Sequence, residues 1–292
     1  MSVQQAARGA SSAVPRAEQP RTVGRSRAGV ASSRVAREWL PPVAVFVIFL
    51  AVWQLATAVL GVPAYLLPSP GAIVAAGVEH APDLALSLVS TFRAALVALV
   101  LAVVVGTVVA LLMSESKLLE RSLYPYAIML QTIPIVAIAP LIVIWFGAGE
   151  PAVIVIAFLI SLFPIISNTT VGLTSTDHNL RNLMEMYNAG WWQRLVKLRF
   201  PFALPYIMAG LRISAGLAVI GAIVGEFIAG IGGLRGGLGY VIVTAAGRLQ
   251  MPYLFAAALT SSLLGVVIFV AVSIIVSRSL RHWHESSVDF EN

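Results

Sequence analysis

Apolar side chains run almost unbroken through six stretches of this chain, at about residues 40–62, 87–113, 124–146, 151–173, 203–230 and 252–277. A hydrocarbon core about 30 Å thick takes roughly 20 residues of helix to cross, and each stretch is at least that long. Backbone in lipid has to satisfy its own hydrogen bonds, so the pattern predicts an all-α membrane protein with six transmembrane helices. Ala56-Thr57-Ala58 has the small residues of a leader cleavage site. The basic region before it is too long for a secretory leader and the apolar run continues past it, so this stretch is read as a span.

A single long polar segment, residues 176–202, separates the fourth stretch from the fifth. Asp177 can cap a helix there, and Leu180, Leu183, Met184 and Tyr187 recur at helical spacing on one face. Asn188-Ala189-Gly190 interrupts that helix, because Asn and Gly tolerate the left-handed conformation in which helices end. Trp191, Trp192, Leu195, Val196 and Phe200 then form a second apolar stripe beside Arg194, Lys197 and Arg199, until Pro201 and Pro205 start the next hydrophobic run. Such a pair is either an amphipathic hairpin lying on the membrane or a docking element held out for a soluble partner.

Composition strengthens the membrane assignment: 59% of the residues are hydrophobic and 11% charged, with a mean hydropathy of +0.90, far from soluble proteins. With no cysteine, disulfides, thiolate metal sites and cysteine nucleophiles are excluded. The net charge of +6 is unevenly spread, since seven of the nineteen Lys and Arg precede residue 38. Residues 1–38, with Ser, Gly and Pro between the arginines, are expected to be a disordered basic arm that faces lipid rather than nucleic acid. Basic residues concentrate on the cytoplasmic side of membrane proteins. Placing the amino terminus there puts fifteen of the nineteen inside and leaves Arg93 and Arg212 near span ends and Arg235 and Arg248 in the last outer loop. Residues 39–282 then form a multi-pass domain of the cell membrane, with both termini, the segment 176–202 and the tail 283–292 in the cytoplasm.

Several separated motifs carry a family resemblance. Pro201-Phe-Ala-Leu-Pro205, followed by Ala209-Gly210-Leu211-Arg212, resembles the end of the cytoplasmic coupling loop in binding-protein-dependent ABC importer permeases. That loop's Glu-Ala-Ala-x-x-x-Gly pattern falls on Asn182, on Leu183 and Met184, and on Asn188, so its first half is degenerate. Tyr65-Leu-Leu-Pro-Ser-Pro70, Gln131-Thr-Ile-Pro134 continuing to Trp145-Phe146-Gly147, and Gly237-Leu-Gly-Tyr240 are similar to sequences in the nitrate, taurine, alkanesulfonate and pyrimidine-precursor branch. The resemblance implies the type I importer permease fold and a second permease copy, by default identical. It also implies two cytoplasmic ATP-binding subunits and an extracytoplasmic solute-binding protein. Asn182, Glu185, Asn188, Ala189, Gly190 and Trp191 would make the coupling contacts. This chain would hold no cofactor, with Mg-ATP on the partner ATPases. The stretch from Lys197 to Phe227 looks most like the pyrimidine-precursor subgroup, so the expected cargo is a pyrimidine or aromatic vitamin precursor, the alternative being nitrate, taurine or an alkanesulfonate.

Within the spans, Pro134 and Pro140 each remove a backbone hydrogen bond and should bend the third helix. The bend is either packing geometry or a pathway feature that makes Gln131 and Pro134 pathway residues. Gly210, Ser214, Ala218, Gly221 and Gly225 form a small-residue stripe for close helix approach, within the subunit or across a dimer. Glu226 is the one acidic residue well inside a predicted span. It is expected either to pair with a donor such as Arg235 or to meet substrate, and a bare carboxylate on the path would favour neutral or cationic cargo.

Catalysis has no foothold. Neither lysine is preceded by Gly as in a phosphate-binding loop, and His80, His178, His282 and His284 lie outside the spans without a metal motif. An ion-coupled secondary transporter would be expected to show a repeat between halves and more intramembrane carboxylates. An intramembrane hydrolase would need a Ser-His or metal constellation at depth.

Overall fold

The computed structural model describes residues 27–230 and 236–284, and every regular element among the described residues is a helix. In chain order the helices are α1 (Arg27–Val59), α2 (Pro70–Glu79), α3 (Ala81–Glu115), α4 (Lys117–Thr132), α5 (Ile135–Phe146) and α6 (Glu150–Thr174). Then follow α7 (His178–Met186), α8 (Trp191–Arg194), α9 (Phe200–Ala229), α10 (Leu238–Gly247) and α11 (Met251–His284). Among the described residues five helices are long and apolar enough to cross a membrane, or six when the bent pair α4–α5 is taken as one span. The chain divides into two bodies, Met1–Val52 and Trp53–Asn292. In the first, α1 begins at Arg27, inside the stretch whose composition predicts no ordered element. The second holds everything discussed below.

At its centre α6 lies between α3 and α9. Lipid tails are as apolar as leucine, so helices in a membrane associate through close packing rather than through a hydrophobic drive. The stripe on α9 supplies that packing and faces α6 of the same chain. A Cβ added at Gly221 would come 2.7 Å from Ala157 Cα, and one at Gly225 would come 3.0 Å from Val153 Cα. Gly210 lies against Pro164 and Asn168 in the same way. Between these glycines Ser214 Oγ donates to Ser161 O at 2.7 Å. On the other flank the alanines Ala94, Ala95, Ala98 and Ala102 of α3 are buried.

The third span is broken rather than bent. α4 and α5 meet at 97°, because Pro134 has no N–H to continue the ladder and forces Ile133 into extended backbone (φ −64°, ψ 123°). Pro140, expected to add a second bend, lies inside an unbroken α5. The fifth span starts earlier than the prolines suggest. Leu195–Arg199 is a π-helical turn, with Phe200 N–H donating to Leu195 O, and it joins α8 to α9 without a stop at Pro201. A widened turn relieves the clash between a proline ring and the carbonyl four residues back. Two short helices, α2 and α10, fill what the pattern shows only as loops. Ser69 caps α2 by accepting Ala72 N–H at 3.3 Å, with Pro70 at its first position.

Candidate functional site

Three places gather the polar chemistry: the α7–α8 hairpin, a cavity at the α4–α5 break, and the buried end of α9 beneath α10.

Asp177 opens α7 by accepting Asn179 N–H at 2.7 Å. The helix closes in a Schellman turn. Asn188, at φ +49°, donates its N–H to Glu185 O at 2.9 Å, and Ala189 N–H reaches Met184 O at 3.0 Å. Asn188 therefore carries the left-handed conformation. Gly190 is extended (φ −64°, ψ 162°) and donates to Gln193 Oε1 at 3.1 Å to start α8. Met186, Tyr187 and Trp192 are exposed, as are Asn182 and Glu185, and Glu185 pairs with Arg194 at 3.4 Å.

Glu115, at the end of α3, ties this hairpin down. Its Oε2 accepts Trp191 Nε1–H at 2.6 Å, and its Oε1 accepts Arg199 Nη1–H at 3.1 Å. Arg199 also donates to Ser114 O at 2.7 Å. Sequence patterning missed Glu115 and the pairing role of Arg199, since the partners are 76 and 84 residues apart. A charge at a span end signals a boundary and leaves its partner unstated.

The break between α4 and α5 opens a cavity of about 540 Å³ whose lining includes Gln131, Ile133, Phe163, Ser167, Asn168 and Leu217. Its walls are mostly apolar, with a few amide and hydroxyl groups to orient a ligand, as small-molecule sites generally are. Gln131 lies on this cavity; Pro134 makes the break that forms it. Arg212, counted from the pattern near a span end, sits well inside α9. Its Nε is buried with no hydrogen-bond partner among the described residues.

Glu226 lies elsewhere. It is 4% exposed and its carboxylate faces α3 and the start of α10. Gly239 N–H donates to Oε2 at 2.8 Å, and Thr91 Oγ1 donates to the same oxygen at 3.0 Å. Thr91 in turn accepts Leu238 N–H at 2.9 Å. Arg235, the expected partner, lies outside the described residues. The structure thus supplies donors that the sequence reading did not name, and it does not bring Glu226 together with Gln131. Nearby, Arg93 Nε donates to Glu150 Oε1 at 2.7 Å, joining α3 to α6. Among the described residues no group of His, Cys, Asp and Glu could hold a metal ion.

The family model of binding-protein-dependent transport system inner membrane components matches residues 98–288. The formylaminopyrimidine transport permease ThiX of Halalkalibacterium halodurans is 36% identical over 80% of this chain and 92% of its own length. The riboflavin transport system permease RibX of Chloroflexus aurantiacus is 36% identical over 82% of this chain and 88% of its own. Permeases named for aliphatic sulfonates and for nitrate also match. Among solved structures, an amino acid ABC transporter with histidines superposes with a TM-score of 0.53. It is 19% identical and covers 70% of this chain and 96% of that one, a likeness of fold.

Proposed function

Because the chain belongs to the family of binding-protein-dependent transport system inner membrane components, in its nitrate, sulfonate and pyrimidine-precursor branch, we propose how it performs the permease role and for which cargo. The coarse role follows from membership: it is a small-solute ABC importer permease subunit of the inner membrane, non-enzymatic itself, with ATP hydrolysis on a separate subunit.

In the proposed arrangement two identical copies pair, α7 and α8 face the cytoplasm and two ATPases carrying Mg-ATP, and an external binding protein delivers solute to the opposite end. Both termini are cytoplasmic. The observation that carries this reading is the α7–α8 hairpin, whose exposed Met186, Tyr187 and Trp192 offer an apolar face to a soluble partner, while α8 runs on into a membrane-crossing helix. Solute passes along the cavity at Gln131 and Asn168, between the two copies. Cargo is a pyrimidine or similar heteroaromatic vitamin precursor, a preference supported by the relatives named for formylaminopyrimidine and riboflavin transport. The charge of Glu226 does not bear on it, since that carboxylate is buried and hydrogen-bonded away from the cavity.

Two measurements test this. Gln193→Cys is expected to react with an impermeant maleimide only from the cytoplasmic side and Gly247→Cys, at an exposed position with nothing within 4 Å of its Cβ, only from outside; the reverse pattern overturns the orientation and with it the ATPase contact. Uptake of labelled formylaminopyrimidine by cells carrying the whole operon should be competed by riboflavin-like heteroaromatics and not by nitrate or alkanesulfonate. Competition by the oxyanions alone assigns the chain to the other substrate class.

A further inference from the structure

The cavity, the hairpin and the family's partners leave Glu226 unexplained. A carboxylate at this depth is retained only where something holds it, and here it occupies the N-terminus of a helix. Gly239 N–H, in the first turn of α10, donates to it at 2.8 Å. The unpaired N–H groups of a first turn and the helix dipole both favour an anion there. Space is kept clear for it: a Cβ at Gly237 would fall on the carboxylate itself, and one at Gly239 would come 2.8 Å from Glu226 Cβ. Thr91 completes the contact, donating to Oε2 at 3.0 Å and accepting Leu238 N–H at 2.9 Å. One side chain of α9 thus binds α10 directly and α3 through a hydroxyl.

The position of Glu226 along its helix gives the contact a second meaning. From Trp191 to Ala229 the chain is a single helical rod of 39 residues, about 58 Å long at 1.5 Å per residue. Its first residue lies on the surface assigned above to the ATPase, and Glu226 lies in its last turn. Packed helices switch between discrete arrangements rather than deforming continuously, so a displacement at one end of the rod has a route to the other through this contact. Beyond Glu226, α10 forms one wall of a cleft of about 530 Å³ whose lining includes Leu86, Ser87, Tyr240, Thr244, Arg248 and Tyr253.

We propose that Glu226 is the grip through which α9 moves α10, a positioning residue that carries displacement of the coupling hairpin to the cleft on the opposite side of the membrane. The source of that displacement rests on the importer reading. Glu226 itself touches no cargo.

The absence of native cysteine allows spin labels at Leu86→Cys and Thr244→Cys to measure the width of the cleft. The sample is the assembled transporter, this chain with its ATPase in nanodiscs, compared without nucleotide and with Mg-ATP plus orthovanadate. Without further substitutions the inter-label distance is expected to shift between the two states. In Glu226→Ala the nucleotide-dependent shift in population should fall about tenfold, within the ordinary range of coupling between sites. Glu226→Gln keeps an acceptor for Gly239 N–H and should retain most of the response. Gly237→Ala should behave like Glu226→Ala, and combining the two should add nothing, since both act on one contact. A carboxylate that only stabilised the fold would lower abundance and leave the distance response of the surviving protein intact. That result in Glu226→Ala or Gly237→Ala overturns the proposal, as does a labelled transporter that turns over ATP while its cleft ignores nucleotide. Should Glu226→Ala fail to assemble, Thr91→Val decides, with a broadened and weakened response expected and Thr91→Ser restoring it; a full response in Thr91→Val overturns the grip. If the ATPase never associates, the importer reading falls together with the proposal, a failure distinct from the others.

Discussion

The same two helices, α3 and the α8–α9 rod, are tied together at both ends of the membrane, by opposite chemistry. At the hairpin end Glu115 holds Trp191 and Arg199, and the side chains of Glu115 and Arg199 are 31% and 11% exposed. At the α10 end Thr91, Glu226 and Gly239 are joined with Glu226 only 4% exposed. Glu115 is partly open to water and Arg199 keeps backbone acceptors at Ser114 O and Leu173 O, so the ion pair itself is worth only about 1 kcal/mol and is weakened by salt. A buried carboxylate stripped of its donors costs about 1–3 kcal/mol or more for each group left unpaired. The hairpin end is therefore the cheaper of the two to rearrange, whereas the α10 end resists being pulled apart.

The sharpest way to break that contrast is to fill the space reserved at the buried end. Gly239→Val would drive a branched side chain into Ile223 O and Glu226 Cβ, in a core with no slack. Overpacking of this kind costs about 3 kcal/mol. Membrane abundance and the melting temperature in detergent should both collapse, whereas Gly216→Ala, with nothing within 4 Å of its Cβ position, should leave them unchanged. Equal tolerance at the two glycines would show that the buried end is not packed as described.

Removing one hydroxyl should come next in size. Thr91→Val takes away both the donor to Glu226 and the acceptor for Leu238 N–H, a loss of about 1–3 kcal/mol. Thr91→Ser keeps both and should recover most of it, read as the denaturation midpoint in detergent. At the other end Glu115→Gln should cost only about 1 kcal/mol or less, and raising the salt concentration should narrow the gap from the native protein. If Glu115→Gln were the more damaging of the two for stability, the contrast between the ends would be reversed.

Much of this architecture could be read from the chain. Six apolar stretches, the polar segment around Asn188 and the small stripe from Gly210 to Gly225 are local or periodic features, and such features survive translation into helices. The broken third span was only half legible: Pro134 marked the place, but a bend and a 97° break differ by how the flanking helices pack, which no local rule contains. The two ties were not legible. Thr91 and Glu226 are 135 residues apart, and nothing in the identity of a threonine among alanines and leucines points to its partner. The Gly237-Leu-Gly-Tyr240 motif stands out in the sequence, while its physical reason, room for a carboxylate, emerges only once α9 and α10 are side by side.

The smallest effect expected concerns the turn where the α7–α8 hairpin ends its first helix. The sequence pattern leaves both Asn188 and Gly190 open as the left-handed position, since Asn tolerates that backbone and glycine supplies it at little cost. The structure assigns that backbone to Asn188, at φ +49°, and leaves Gly190 at φ −64°, where a Cβ would meet nothing within 4 Å. Gly190→Ala should therefore change neither ATPase pull-down nor stability, and even a β-branched residue there fits its extended backbone. Asn188→Gly should be close to neutral, because glycine adopts the same conformation without strain. Asn188→Val should cost about 1–2 kcal/mol of local order, the penalty of left-handed backbone for a side chain that cannot hydrogen-bond to it. That loss falls on an exposed hairpin, so it should leave the global melting temperature nearly untouched and show as weakened ATPase pull-down. The hairpin end would then be soft in the sense argued above, locally perturbable without loss of the fold. If Gly190→Ala weakened pull-down while Asn188→Val did not, the turn would be built on Gly190 after all, and the end of α7 would lie two residues later than the structure places it.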